Sequence, residues 1–468
     1  MACLTAAPLK FTVHRHPAEL VAPAAATPRE LKRLSDIDDQ DGLRFQVPTI
    51  YFYRRNVCMD GGIKDPARII RDAIARALVH YYPLAGRLRE LEGRKLAVDC
   101  TSEGVLFIEA DADVCLEHFG EVVHPPFPAI EELLFEVPGS SGTLNCPLVL
   151  FQVTRLACGG FILAVRIHHS MADGQGMVQF LGAVAELARG ARVPTVRPVW
   201  GRELLDARSP PRPSFAHREY DQLQLVVPDA TAPLPLDAHE QVRRYCFFFG
   251  PDEVAAIRAC LPLHLQTSST TFEILTAFLW KCRTMALSPN TEEEMRLICI
   301  VSARGGGNHK TGRRLMRIPR GYYGNALAFP VAISTAGELC RNPVGYAVEL
   351  VKKAKAQVDM EYMKSVADHL VLHGRPHFTV ARSLLFSELT KTGFGDLDFG
   401  WGRPVYGGPA LLDPGVIPGL ISFILPCTTA KGVDGVIVPM CLPASAMDRF
   451  MQELHKLLQH GVFIAAKI

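Results

Sequence analysis

The chain has 468 residues, 48% of them hydrophobic and 21% charged, with a formal net charge of +2. That length is too great for one hydrophobic core and calls for two or three domains, while the near-neutral balance excludes a global attraction to nucleic acid or an anionic membrane. No run of about 18 apolar residues exists, so no membrane span is expected, and thirteen cysteines without a CxxC pair read as reduced, buried thiols of an intracellular protein.

The amino terminus has no basic segment followed by an apolar stretch, so no secretory signal is expected. Strand-like Phe11-Thr12-Val13 comes first, then the run Leu34 to Phe45 and a second strand candidate at 49–53. Ile69, Ile70, Ile74, Ala77 and Leu78 fall at helical spacing, and Pro83 and Gly86 enforce a stop and a turn after that helix. Strand candidates at 95–99, 105–109 and 148–154 follow. The apolar run 160–167 is short and β-branched, which predicts a buried strand. It delivers His168 and His169 to a turn, and Met177, Phe180, Leu181, Val184 and Leu187 then predict an amphipathic helix over 177–189. From about 191 to 242 the chain is too proline-dense for regular structure and reads as a crossover between domains.

The second half repeats the mixed α/β pattern. A strand at 244–249 precedes a helix at 251–260, and Ser268-Ser269-Thr270-Thr271 resembles the start of the next helix. A strand at 297–302 ends at Ala303-Arg304 and a glycine-rich basic loop that carries Lys310, Arg313, Arg314, Arg317 and Arg320. A helix at 344–357, a glycine-rich segment at 393–408, strands at 420–425 and 434–440 and an amphipathic helix at 445–459 complete the pattern. The last residues, Ala466-Lys467-Ile468, have the shape of a peroxisomal address without being Ser-Lys-Leu.

The chemistry concentrates on His169. Imidazole titrates near neutrality, so it can take a proton and return it within one cycle. Asp173, four residues on, can orient the ring, join it on a metal, or cap the following helix and pin the loop through a salt bridge. No HExxH or CxxC completes a metal site. A second stretch, Asp398-Phe399-Gly400-Trp401-Gly402, sets two glycines around an indole and an aspartate that needs a cation or N–H donors if buried.

Three stretches in order, Tyr82-Pro83-Leu84-Ala85-Gly86-Arg87, His169-Ser170-Met171-Ala172-Asp173-Gly174 and Asp398-Phe399-Gly400-Trp401-Gly402, resemble the BAHD family of plant acyl-CoA-dependent acyltransferases. The run Leu34 to Phe45, Tyr322-Tyr323-Gly324-Asn325-Ala326 and Val438-Pro439-Met440-Cys441-Leu442-Pro443 are similar to its alcohol acyltransferase branch. The resemblance implies an α/β fold of two chloramphenicol-acetyltransferase-like domains, each a mixed sheet flanked by helices, with an interdomain channel. Residues 1–195 would carry HxxxD, 196–242 the crossover and 243–468 DFGWG. It implies a metal-free reaction with acyl-CoA as co-substrate and no permanently bound cofactor, in which His169 is the general base. Asp173 would pair with Arg304, Asp398 would act structurally or as an acid/base, and Trp401 would line the channel near the reacting carbonyl. Ser269, Thr270, Arg304, Arg313 and Arg314 are the candidates for holding CoA, whose phosphates need cations. His168 offers a second imidazole, but only His169 has the aspartate at the motif spacing. The implied reaction transfers benzoyl from benzoyl-CoA to benzyl alcohol, giving benzyl benzoate and CoA. Aliphatic alcohol or amine acceptors, acetyl or hydroxycinnamoyl donors, a carrier-protein condensation domain and a non-catalytic binding protein on the same fold are the alternatives. A monomer is expected, with no nucleic-acid or membrane partner, in the peroxisome or cytoplasm.

Overall fold

The structure, a computed structural model, describes residues 9–56, 65–222, 242–305, 317–411 and 419–459. Arg313, Arg314 and the terminal Ala466-Lys467-Ile468 lie outside the described residues. Two mixed sheets organise the chain. In the first, of seven strands, the order is Val13–Arg15, Val105–Ala112, Val149–Leu156, Phe161–His168, Gln46–Tyr53 and Tyr406–Pro409, with Glu19–Val21 also paired to Val105–Ala112. The second, of six, runs Val242–Phe249, Asp434–Pro443, Ile421–Thr428, Ser383–Glu388, Glu294–Cys299 and Val331–Thr335. Each contains both parallel and antiparallel pairs.

The sheets follow the two halves of the sequence with one exception. Tyr406–Pro409 comes from the second half yet pairs antiparallel with Gln46–Tyr53 in the first sheet. The halves are therefore joined by an exchanged strand as well as by the crossover.

Helices Pro66–His80 and Gly174–Ala188 pack on the first sheet around Tyr51, Phe151 and Phe180. Asp65 starts the first of them by accepting the Ala67 and Arg68 N–H groups, and Pro66 supplies a preset φ at the first helical position. Thr271–Leu287 is almost wholly buried between Val344–Ala356 and Ala444–Gln459, with Trp280 fully covered. A helix covered on all sides belongs in the middle of a layer, and its buried Glu273 and Lys281 are held by Lys355 and by the Leu339 carbonyl.

Elements not expected from sequence include the helix Met360–Leu372 and the strand Ser383–Glu388. The strand lies at the centre of the second sheet. Among the described residues, no helix is long and apolar enough to cross a membrane.

Candidate active site

The strand Phe161–His168 runs antiparallel to Gln46–Tyr53 with His168 opposite Gln46. The chain then turns through His169–Asp173 and enters the helix Gly174–Ala188. His169 is fixed at its backbone: its N–H donates to the Phe45 carbonyl at 2.8 Å, and its own carbonyl accepts from Asn325 Nδ2 at 2.7 Å. The Phe45 ring meets the imidazole edge-on at 5.5 Å. Nδ1 is buried without a hydrogen-bond partner, so Nε2 is the ring nitrogen left accessible. Burial, the largest influence, pushes this imidazole below its ordinary value, which keeps it neutral and able to accept a proton at pH 7.

His169 lines a cavity of about 320 Å³, within the range of small-molecule sites. One wall is the segment Leu43–Thr49 with the His169 turn, and the other comes from the second half, including Ile300, Ser302, Leu385 and Phe423. The site therefore sits between the two sheets. Phe45, Phe329, Phe378, Phe394 and Phe423 all contribute to its surface, so the lining is mainly apolar and aromatic.

His168 is different. It is 1% exposed, both ring nitrogens are buried without partners, and it does not line the cavity. Burial, then the neighbouring His169 and Arg44, push its pKa down to about 3. Alternation along the strand turns successive side chains to opposite faces, and only the second imidazole reaches the cavity.

Asp173 holds the turn together. Its Oδ1 accepts the Gly176 N–H at 2.9 Å and caps the helix, while Oδ2 accepts the Ala326 N–H at 3.1 Å and pairs with Arg304. Arg304 also donates to the Gly324 carbonyl. Both acceptors of the carboxylate are thus occupied by structure. Gly176 allows the helix to approach the second half: a Cβ there would collide with the Tyr323 carbonyl.

Behind the turn lies a network that the sequence reading did not identify. Asp38 accepts from Arg202 Nη1 at 2.7 and 2.8 Å and from the Asn325 backbone and side chain at 2.7 and 2.9 Å. Arg202 Nη2 donates to the Met171 carbonyl at 2.8 Å, and its guanidinium lies over the Trp200 ring. Asp38 and Arg202 are fully or almost fully buried. A charged residue within the apolar-flanked run Leu34 to Phe45 was the available signal, because a buried carboxylate requires a cation and N–H donors.

Several predicted site residues fall elsewhere. Trp401 packs edge-on against Phe161 at 5.2 Å, and Asn56 Nδ2 donates to the Gly400 carbonyl at 3.0 Å. Phe161 begins the strand that His168 ends, so at about 3.3 Å per residue Trp401 and Asp398 belong roughly 23 Å from the histidine turn. This corrects the expectation that Trp401 lines the channel and that Asp398 could act as an acid or base. Asp398 instead accepts the Gly400 and Gly402 N–H groups at 2.7 and 2.9 Å. Both glycines have positive φ, 108° and 83°, which explains the DFGWG spelling as a tight carboxylate-centred turn.

The CoA candidates also divide. Arg304 is engaged by Asp173 and Gly324, so it is not a free cation for phosphate. Thr270 forms a reciprocal cap with Glu273 at the start of its helix. Ser269 is buried beside Lys352, whose Nζ donates to it at 3.4 Å and to the Ser268 hydroxyl at 2.8 Å. Lys352, which the sequence reading passed over, places an ammonium next to both hydroxyls.

The sequence model of the Transferase family matches residues 11–457. The chain is 57% identical to the benzyl alcohol O-benzoyltransferase of Petunia hybrida, over 96% of this chain and 95% of the relative. It is 52% identical to alcohol acyl transferase 1 allele GSa of Malus domestica, over 96% and 94%. Among solved structures, vinorine synthase superposes with a TM-score of 0.68 at 22% identity, covering 95% of this chain and 98% of that one, which shows a shared fold.

Proposed function

The chain belongs to this Transferase family, the BAHD acyl-CoA-dependent acyltransferases, and from that premise we propose that it transfers benzoyl from benzoyl-CoA to benzyl alcohol with His169 as the general base. It is an acyltransferase that uses acyl-CoA as co-substrate and an alcohol as acceptor. The named activity of the petunia relative supports the choice of substrates. The observation that carries the assignment of the base is the accessible Nε2 of His169 at the wall of a cavity built by both halves.

An alcohol is a poor nucleophile near neutrality, so its proton must leave as its oxygen attacks the thioester carbonyl. Neutral His169 takes that proton on Nε2. The tetrahedral oxyanion then collapses, the carbon–sulfur bond breaks, and the imidazolium protonates the departing CoA thiolate. The aromatic wall supports an aromatic acyl or alcohol group, since ring faces and edges pack favourably on one another.

Purified protein incubated with a panel of acyl-CoAs and alcohols, with ester detected by mass, tests the substrates. Benzyl benzoate should dominate; a preference for aliphatic esters would replace the benzoyl assignment. His169→Ala should lower kcat/KM by about 10²–10⁴-fold with circular dichroism unchanged, the usual share of a general base. Near-normal turnover in that variant would remove His169 from the reaction.

A further inference from the structure

Cys115, Glu117 and Cys158 have no part in the site above. Cys115 directly precedes the 3-10 turn Leu116–Phe119, and Cys158 lies in the turn joining the strands Val149–Leu156 and Phe161–His168. Main-chain bonds set the two loops against each other. The Ala157 N–H donates to the Val114 carbonyl at 3.0 Å, and the Leu116 N–H donates to Cys158 Sγ at 3.4 Å. As a result the two Sγ atoms and a Glu117 carboxylate oxygen all lie within 4.8 Å of one another, the one such group among the described residues. Both thiols are partly exposed and Glu117 is exposed, so the group is open to solvent.

Two thiols and a carboxylate select a borderline-soft divalent cation over Mg²⁺ or Ca²⁺, which prefer oxygen alone. Tetrahedral Zn²⁺ holds sulfur at about 2.3 Å and carboxylate oxygen at about 2.0–2.2 Å, which separates neighbouring ligands by just under about 4 Å. The observed spacing reaches that with small side-chain rotations. A backbone N–H aimed at a sulfur is the kind of outer contact that steadies a metal-bound thiolate. His118 is adjacent, its Nδ1 accepting the Cys115 N–H at 3.2 Å. Water completes the fourth position.

We propose that Cys115, Cys158 and Glu117 form a Zn²⁺ site that clips the end of the strand Val105–Ala112 to the turn before Phe161–His168. The site lies at the end of the His169 strand remote from the cavity, so its role is structural. Binding releases two protons as two S–H bonds are exchanged for two Zn–S bonds, with no change of oxidation state.

The test uses the full-length, metal-stripped protein under a non-chelating reductant. Titration with Zn²⁺ against a chromophoric chelator should show one tight equivalent per chain with proton release, and Co²⁺ in its place should give thiolate-to-metal charge-transfer absorption. Loss of an outer partner alone weakens metal sites about 10–100-fold, so Cys115→Ser and Cys158→Ser should each weaken binding by at least about 100-fold. Transferase turnover in both should stay at the wild-type level. Glu117→Gln, an exposed change that leaves the fold intact, should weaken binding by about 10-fold or more. Absence of a tight equivalent, binding unchanged in all three variants, or a Cys115–Cys158 disulfide that persists under the reductant would each overturn the site.

Discussion

Two atoms at the His169 turn face the same difficulty. His169 Nδ1 and Asn325 Oδ1 are both buried and both without a hydrogen-bond partner, although Asn325 Nδ2 already holds the His169 carbonyl. Donation from an Nδ1–H to that oxygen would fix the tautomer with its lone pair on Nε2. Asn325 is among the groups that raise the imidazole's pKa against the larger effect of burial. Asn325→Ala should therefore lower kcat/KM by about 10- to 100-fold, a part of the general-base contribution, and move the acidic limb of its pH profile downwards. A limb that stays in place would make Asn325 purely structural. His168 gives a second pH effect. Its folded pKa of about 3 lies below the ordinary 6.5, so between those values the unfolded chain binds a proton that the native state refuses. Its contribution to stability is complete above pH 6.5 and declines as pH falls towards 3, by up to about 1.4 kcal/mol per unit. In urea unfolding at a series of pH values, His168→Asn should flatten that decline; an unchanged slope would mean the ring is protonated in the folded protein.

At the scale of elements, the HxxxDG turn was legible because a strand, two imidazoles, an aspartate and a helix follow one another within one short stretch. The spacing also carried the Asp173 cap, since an aspartate just before an apolar-periodic segment is where a helix starts. DFGWG was legible as a tight turn but not as to place. Which end of a strand a distant loop packs against depends on sheet register, and sequence does not display that. Trp401→Ala should cost about 2–3 kcal/mol in urea unfolding, below the 3–5 of a fully buried tryptophan, and leave KM and the pH profile unchanged. A changed pH profile with normal stability would return the indole to the chemistry. The strand Ser383–Glu388 escaped notice for a local reason: no glycine or proline between 377 and 392 marks its ends. The helix Met360–Leu372 had its signal in place, with Asp359 capping it through the Tyr362 N–H and Tyr362, Met363, Val366 and Leu370 at helical spacing.

At the scale of the whole molecule, Asp38 from the first half, Arg202 from the crossover and Asn325 from the second half meet directly behind the histidine turn. Removing one member leaves the other charge buried and unpaired, which costs about 3–5 kcal/mol, whereas an apolar pair of similar size removes both desolvation penalties. Asp38→Leu and Arg202→Leu should each be strongly destabilising, and the double variant should be less harmful than the two effects summed. Denaturant midpoints for the four proteins measure that coupling; strict additivity would show that the two charges act independently. The three segments come from distant parts of the chain, and each taken singly shows only a polar residue, so their meeting was beyond the reach of local patterning.

The strand Tyr406–Pro409 adds a constraint on how the molecule is made. During synthesis the edge of Gln46–Tyr53 waits for a segment that leaves the ribosome more than 300 residues later, about 350 by position, and an unpaired edge is a template for association with other chains. A gene fragment ending in the crossover would deliver that edge bare, so cutting this enzyme between its halves should yield aggregates, and co-expressing the two pieces should rescue them only when the second retains residues 406–409.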